Sequence, residues 1–322
     1  MLHGHHDHDH DHAQDHARGP RRGHDHGHGG HHHHVHPDAF GLGTLINGGF
    51  VAIQLVAGFV AGSMALLADA GHNLADVLGL VLAWGAVRLG QRAPSPRRTY
   101  GYGRSSILAA LTNAVILLIG VGAIAVESIR RLFEPAPVAT GIVIAVSALG
   151  ILANGGTALL FMRGREHDLN ARGAFLHMAS DALASAGVIV TAVAIRLTGL
   201  EWLDPLAGLA IAAAITWGTW NLLRDSLHLA LDGVPAEIDP AAVTAYLAAI
   251  PGVTEVHDLH IWAMSTTENA LTVHLVFPES APEDAMLVEI SRELSARFAI
   301  DHATMQVERG DRACALAPVG VV

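Results

Sequence analysis

Residues 62–90 read GSMALLADAGHNLADVLGLVLAWGAVRLG, and this stretch decides the fold. A hydrocarbon core of about 30 Å needs about 20 apolar residues to be crossed as a helix, and the stretch is long enough. Yet it carries Asp69, His72 and Asp76 in its first half. Ionisable groups at bilayer depth are costly on every scale, so they are functional candidates by default.

Five more apolar segments of similar length flank it. The six run over approximately 40–61, 64–90, 105–127, 138–162, 173–197 and 205–223. Gly62-Ser63 alone joins the first two, which makes a tight hairpin. The chain is 51% hydrophobic and 15% charged. Soluble domains carry about 25% charged residues, so lipid is the expected solvent for much of it. The apolar mass is mostly Ala, Leu, Val, Ile and Gly, suited to close helix packing in a bilayer. Arg92, Arg97, Arg98 and Arg104 follow segment two, and Arg163, Arg165 and Arg172 follow segment four. The opposite loops hold only Arg130, Arg131 and Arg196. The positive-inside rule then places both termini in the cytoplasm of a multi-pass protein of the cell membrane, the inner membrane in a bacterium. No apolar run in the first 36 residues has the length of a signal peptide.

The second segment's motif recurs in the fifth. His72 and Asp76 are spaced as HNLAD, and His177 and Asp181 as HMASD. Residues i and i+4 share a helix face. At 1.5 Å rise per residue, the first pair lies about 13–19 Å below the outer face and the second about 9–15 Å above the inner one. Two antiparallel helices thus offer two imidazoles and two carboxylates at one depth. That N2O2 set suits tetrahedral Zn²⁺. Buried His–Asp pairs that merely glue helices would not need four groups matched in depth and spacing. Asp69 falls one turn before His72, behind the ligands or on their access path, with helix packing as the alternative reading. A set without thiolates can release its ion and compete with protons, so proton–metal antiport follows from it.

Residues 1–38 form a tract of His, Asp, Gly and some Arg that holds fifteen of the 23 histidines. It lacks the apolar surface to fold and suits weak, multivalent metal capture, although His31 to His34 also look like an expression tag. Residues 39–230 are the six-helix domain and 231–309 a small cytosolic domain, followed by a loose tail at 310–322. Asp239-Pro240 opens a helix through Ile250, by the preference for Asp at the N-cap and Pro at the first helical position. Strands follow at 253–262 and 268–277, a helix at 282–298 and a strand at 303–308. The order αββαβ describes a ferredoxin-like α+β unit. In an extended strand His257 and His260 point to opposite faces and should not share a site. His274 lies in the next strand and Glu308 ends the last. Ordinary surface histidines are the alternative. The formal net charge of -11 argues against nucleic acid, and the single Cys314 excludes a Cys-rich metal site.

The stretch from Gly62 to Asp76, YGYGR at 100–104, LNAR at 169–172 with the following His177 and Asp181, and VHDLHIW at 256–262 resemble the cation diffusion facilitator family over roughly residues 40–308. The resemblance implies a homodimeric metal/proton antiporter with a ferredoxin-like cytosolic domain, and His72, Asp76, His177 and Asp181 as transport ligands. The two-His, two-Asp set looks like the zinc-transporting branch. In the cytosolic domain it implies metal binding by His257, His274 and Glu308, with His260 and His302 as bridging ligands, hence a structural or regulatory zinc besides the transported one. Gln54 departs from the pattern, since many relatives carry an acid there.

Two rival classes fit the residues less well. An intramembrane zinc enzyme would need an open coordination position and a general base, and the chain lacks His-Glu-x-x-His. A passive channel conducts poorly past four close ligands. The reading is a transporter, not an enzyme.

Overall fold

The computed structural model describes residues 37–162, 169–312 and 314; residues 1–36 of the His-rich tract, Arg163, Arg165, His167 and most of the C-terminal tail lie outside them. Six long helices come first: α1 Pro37–Ala61, α2 Met64–Gly90, α3 Ser105–Phe133, α4 Thr140–Phe161, α5 Leu169–Thr198 and α6 Leu203–Ala230. The five from α2 to α6 contain spans long and apolar enough to cross a bilayer, and α1 adds a shorter apolar stretch, Gly48–Ala61. Large apolar side chains such as Phe59, Ile119, Leu152, Leu183 and Trp217 stand exposed on the outer faces of these helices. In water that would be a liability; against lipid it is the required surface. α4 packs on α5, α3 on α6, and α2 on α1, α3 and α6.

Two helices run past their expected ends. α3 continues from 127 to Phe133 because Glu127 accepts from both Arg130 and Arg131 at 2.8–2.9 Å, i,i+3 and i,i+4 pairs that carry the helix beyond its apolar part. α6 continues to Ala230, through a polar stretch that hydropathy alone does not read as membrane.

The α1–α2 hairpin turns on Gly62, whose φ of +66° is open to glycine without a side-chain clash. Ser63 then caps α2, its hydroxyl accepting from Leu66 N at 3.1 Å. The same hydroxyl donates to Asp204 on α6 at 2.5 Å, and Met64 N donates to the other Asp204 oxygen at 2.5 Å. One turn on, a Cβ at Gly208 would sit 3.0 Å from the Met64 carbonyl carbon. α6 therefore fixes the start of α2, and with it the depth of everything α2 carries.

The C-terminal domain follows the expected αββαβ order: α7 Pro240–Ala248, β1 Glu255–Ala263, β2 Asn269–Val276, α8 Asp284–Phe298 and β3 His302–Glu308. Asp239 caps α7, accepting from Ala241 N at 2.9 Å. The sheet order is β1-β2-β3, with β1 antiparallel and β3 parallel to β2. Val243, Leu247, Leu271, Leu275, Leu294 and Ile300 form its sealed core. The domain meets the α2–α3 connection, where Arg104 pairs with Asp232 and Thr266 N donates to Ser106 Oγ at 3.0 Å.

Candidate metal-transport site

α2 and α5 bring four side chains to one point. One ligand atom from each of His72, Asp76, His177 and Asp181 can be chosen so that all lie within 4.8 Å of one another. The nearest pairs cross between the helices. His72 Nε2 is 3.2 Å from Asp181 Oδ1, and His177 Nε2 is 3.4 Å from Asp76 Oδ2. Within each helix the separations are 4.0 Å and 3.7 Å. The two rings meet edge to face with centroids 6.1 Å apart. A tetrahedral Zn²⁺ with bonds of about 2.0–2.1 Å would hold its ligand atoms about 3.3 Å apart. The set is therefore near the size that ion needs, without an ion to organise it.

Asp181 is buried, whereas His177 is half exposed to a cavity of about 670 Å³ that Asn73, Asp76 and Asn154 also line. The four side chains thus sit where that cavity meets packed helices. Asp69 does not join them. It is fully buried between α1 and α5, its Oδ2 accepting from Gln54 Nε2 at 2.8 Å and Ser185 Oγ at 3.0 Å. Asn73 Nδ2 in turn donates to Gln54 Oε1 at 2.8 Å. Gln54 stands where the resemblance raised the question of an acid, and here it is a neutral donor to Asp69.

The C-terminal domain holds a second cluster. β1–β2 pairing sets His257 opposite His274, and β2–β3 pairing sets Val276 beside Glu308. His274 Nδ1 lies 3.0 Å from Glu308 Oε1, and His257 Nε2 lies 3.4 Å from Glu308 Oε2. Cys314 joins them, its Sγ 3.3 Å from His274 Nδ1. These four groups can also hold a metal ion between them. Neither ring nitrogen of His257 makes a well-aligned hydrogen bond among the described residues, although Glu255 and Glu308 oxygens lie 3.3 and 3.4 Å away, so one of the two is available to a metal. Burial pushes the Glu308 carboxyl up, but hydrogen bonds from Gln306 and Cys314 and the charges of His274 and His257 outweigh it and leave it below the usual glutamate range.

The other two histidines stand apart from this cluster. A register shift follows His257, and Asp258 takes a left-handed φ of 52°. His260 is exposed and faces Asp258 at 3.1 Å. His302 stacks edge-on against Tyr100 at 5.5 Å. Sequence reasoning missed Cys314, whose one signal was its position a few residues past Glu308. It also missed Asp204, an acid at the start of an apolar helix, and Ser185, which nothing in the sequence distinguishes.

Residues 42–229 match the cation efflux transmembrane domain, and residues 235–310 match the cytoplasmic domain of cation efflux proteins. The chain belongs to the cation efflux family, a family of multi-pass metal transporters. It is 37% identical to the metal cation efflux system protein CzcD of Cupriavidus metallidurans, over 85% of this chain and 89% of that one. It is 37% identical to the zinc transporter ZitB of Escherichia coli, over 84% and 85%. It is 35% identical to a cadmium, cobalt and zinc/H(+)-K(+) antiporter of Bacillus subtilis, over 81% and 85%. All three are named as transporters or efflux proteins.

Proposed function

We propose that this protein exports zinc, and other divalent ions of similar chemistry, from the cytoplasm across the cell membrane in exchange for protons, through a site made of His72, Asp76, His177 and Asp181. The observation that carries this reading is the convergence of those four ligand atoms to within 4.8 Å inside the helical bundle. Two neutral imidazoles and two carboxylates neutralise a divalent ion, and each must be free of its proton to bind. A proton arriving from the far side therefore competes directly with the metal. The antiporter named among the relatives supports the coupling, and the zinc transporter supports the ion.

In this reading both termini lie in the cytoplasm, the His-rich tract gathers metal near the cavity, and the chain works as a homodimer through its C-terminal domain. His257, His274, Glu308 and Cys314 would hold a separate zinc there, outside the path of transport; a mixed N2OS set suits that ion. The test is zinc flux into inside-out vesicles of the purified protein. A pH gradient, acid inside, should accelerate uptake, and its reversal should slow or stop it. Flux indifferent to gradients of either sign would overturn the antiport reading.

A further inference from the structure

A cavity of about 1030 Å³ lies where the helical bundle meets the C-terminal domain, and no residue of either metal cluster lines it. Its apolar part includes the ends of two membrane helices, Leu89 in the last turn of α2 and Leu108 in the first turn of α3. Its polar part comes from the connection between those helices, which brings Arg97, Arg98 and Arg104 to it. That connection is held in shape. Ser95 and Arg98 exchange backbone hydrogen bonds of 3.0 and 2.9 Å, which puts Pro96 and Arg97 at the tip of a two-residue turn. Tyr100 stacks edge-on against His302 of β3 at 5.5 Å, and Ser106 Oγ accepts from Thr266 N at 3.0 Å. The cavity is therefore formed by two domains already in contact.

The three arginines differ in what they already hold. Arg104 is paired with Asp232, the one acid among the lining residues. Arg98 lies over the Tyr102 ring at 4.5 Å and donates to its hydroxyl, which fixes the guanidinium but leaves its charge uncompensated. Arg97 is exposed and has no side-chain hydrogen bond or ion pair among the described residues. Three arginines against one acid make a positive pocket in a chain whose formal net charge is -11. Such a pocket recruits an anion.

We propose that this cavity binds the headgroup of an anionic phospholipid from the leaflet next to the C-terminal domain. Arg97 and Arg98 would take the phosphate, because the planar guanidinium fork matches phosphate oxygens two at a time. Leu89 and Leu108 would meet the start of the acyl chains, at the depth where the membrane helices end. Trp262 of β1, which also lines the cavity, has the amphipathic ring suited to headgroup level. A free phosphate would use the arginines but gain nothing from the apolar residues, so the lipid is the better fit. Bound there, it touches the α2–α3 connection and β1 together and ties the C-terminal domain to the bundle.

The experiment is native mass spectrometry of the full-length protein in detergent, titrated with dioleoyl phosphatidylglycerol or dioleoyl phosphatidylcholine. Wild type should bind phosphatidylglycerol more tightly than phosphatidylcholine. Arg97→Gln should weaken phosphatidylglycerol by about fivefold, the contribution of one arginine to an anionic lipid surface, and leave phosphatidylcholine unchanged. Arg130→Gln removes the same charge at the opposite end of α3 and should bind phosphatidylglycerol as wild type does. Equal affinity for the two lipids, or an equal effect of the two variants, overturns the proposal. An excess of inorganic phosphate should fail to displace the lipid; displacement would make the cavity a site for free anions and overturn the lipid as its occupant. Should Arg97→Gln not fold, Arg98→Gln carries the same expectation, and unchanged phosphatidylglycerol binding in the folded variant overturns the proposal.

Discussion

His72 Nε2 lies nearer to Asp181 on α5, at 3.2 Å, than to Asp76 one turn along its own helix, at 4.0 Å. The cluster is therefore a joint between two helices, each of which packs mainly on other partners. A shift of α5 against α2 would separate every imidazole from its nearest carboxylate. In the proposed transport cycle, helix movement would make and unmake such a site.

Selectivity should respond to the nitrogen ligands. His72→Asp replaces an imidazole with a harder oxygen and adds charge, which favours larger or harder ions. Zinc transport should persist at a reduced level while cadmium and manganese gain relative to it. Competitive flux in the same vesicles measures this, and an unchanged order of preference would place selectivity elsewhere.

The seat of α2 on α6 should matter as much as the ligands. Gly208→Val adds atoms where a Cβ already stands 3.0 Å from Met64 backbone. Overpacking of this kind costs about 1–3 kcal/mol, and here it pushes on the end of α2 that Asp204 and Ser63 hold in place. We expect a lower thermal midpoint and at least a severalfold loss of zinc flux. Wild-type flux would mean that the start of α2 does not position His72 and Asp76.

In the C-terminal domain, Cys314→Ser should weaken one zinc-binding event without abolishing transport. With the intramembrane ligands replaced by alanine to silence the other site, zinc affinity should fall by about tenfold or more, comparable with the loss of a supporting group around a metal. Unchanged affinity would remove Cys314 from that site.

The same cluster sets a pH dependence in metal-free protein. Glu308 titrates below its ordinary value of 4.5, so its ionised form stabilises the fold at pH values above that, and the contribution is lost as pH falls through the lower, folded-state value. Between neutral and acidic pH, the thermal midpoint of wild type should therefore fall more than that of Glu308→Gln. Parallel curves would show that Glu308 contributes nothing in its charged form.

Much of this was legible from residues alone. The six helices announce themselves because Arg, Gly and Pro bound each apolar run, and the two His-x-x-x-Asp motifs stand out because lipid tolerates so few ionisable groups. What the spacing hid was the crossed pairing. An i,i+4 rule puts His72 beside Asp76, but the approach of α5 brings Asp181 closer still. The surroundings of Asp69 were hidden too, since Gln54 and Ser185 are 15 and 116 residues away in the chain. Cys314 carries little signal in the sequence, because a single cysteine makes no Cys-rich site, while a mixed site needs only one.

The most direct test of the central claim is the initial rate of zinc uptake by reconstituted protein under a fixed inward-acidic pH gradient, wild type beside Asp181→Ala. Asp181 is the most buried of the four proposed ligands and faces both imidazoles, at 3.2 Å and 3.7 Å. Removing it leaves one carboxylate against a divalent ion. The account predicts flux at the level of empty liposomes from a protein that is still folded and membrane-inserted. Zinc uptake at the wild-type rate would contradict the four-ligand site outright.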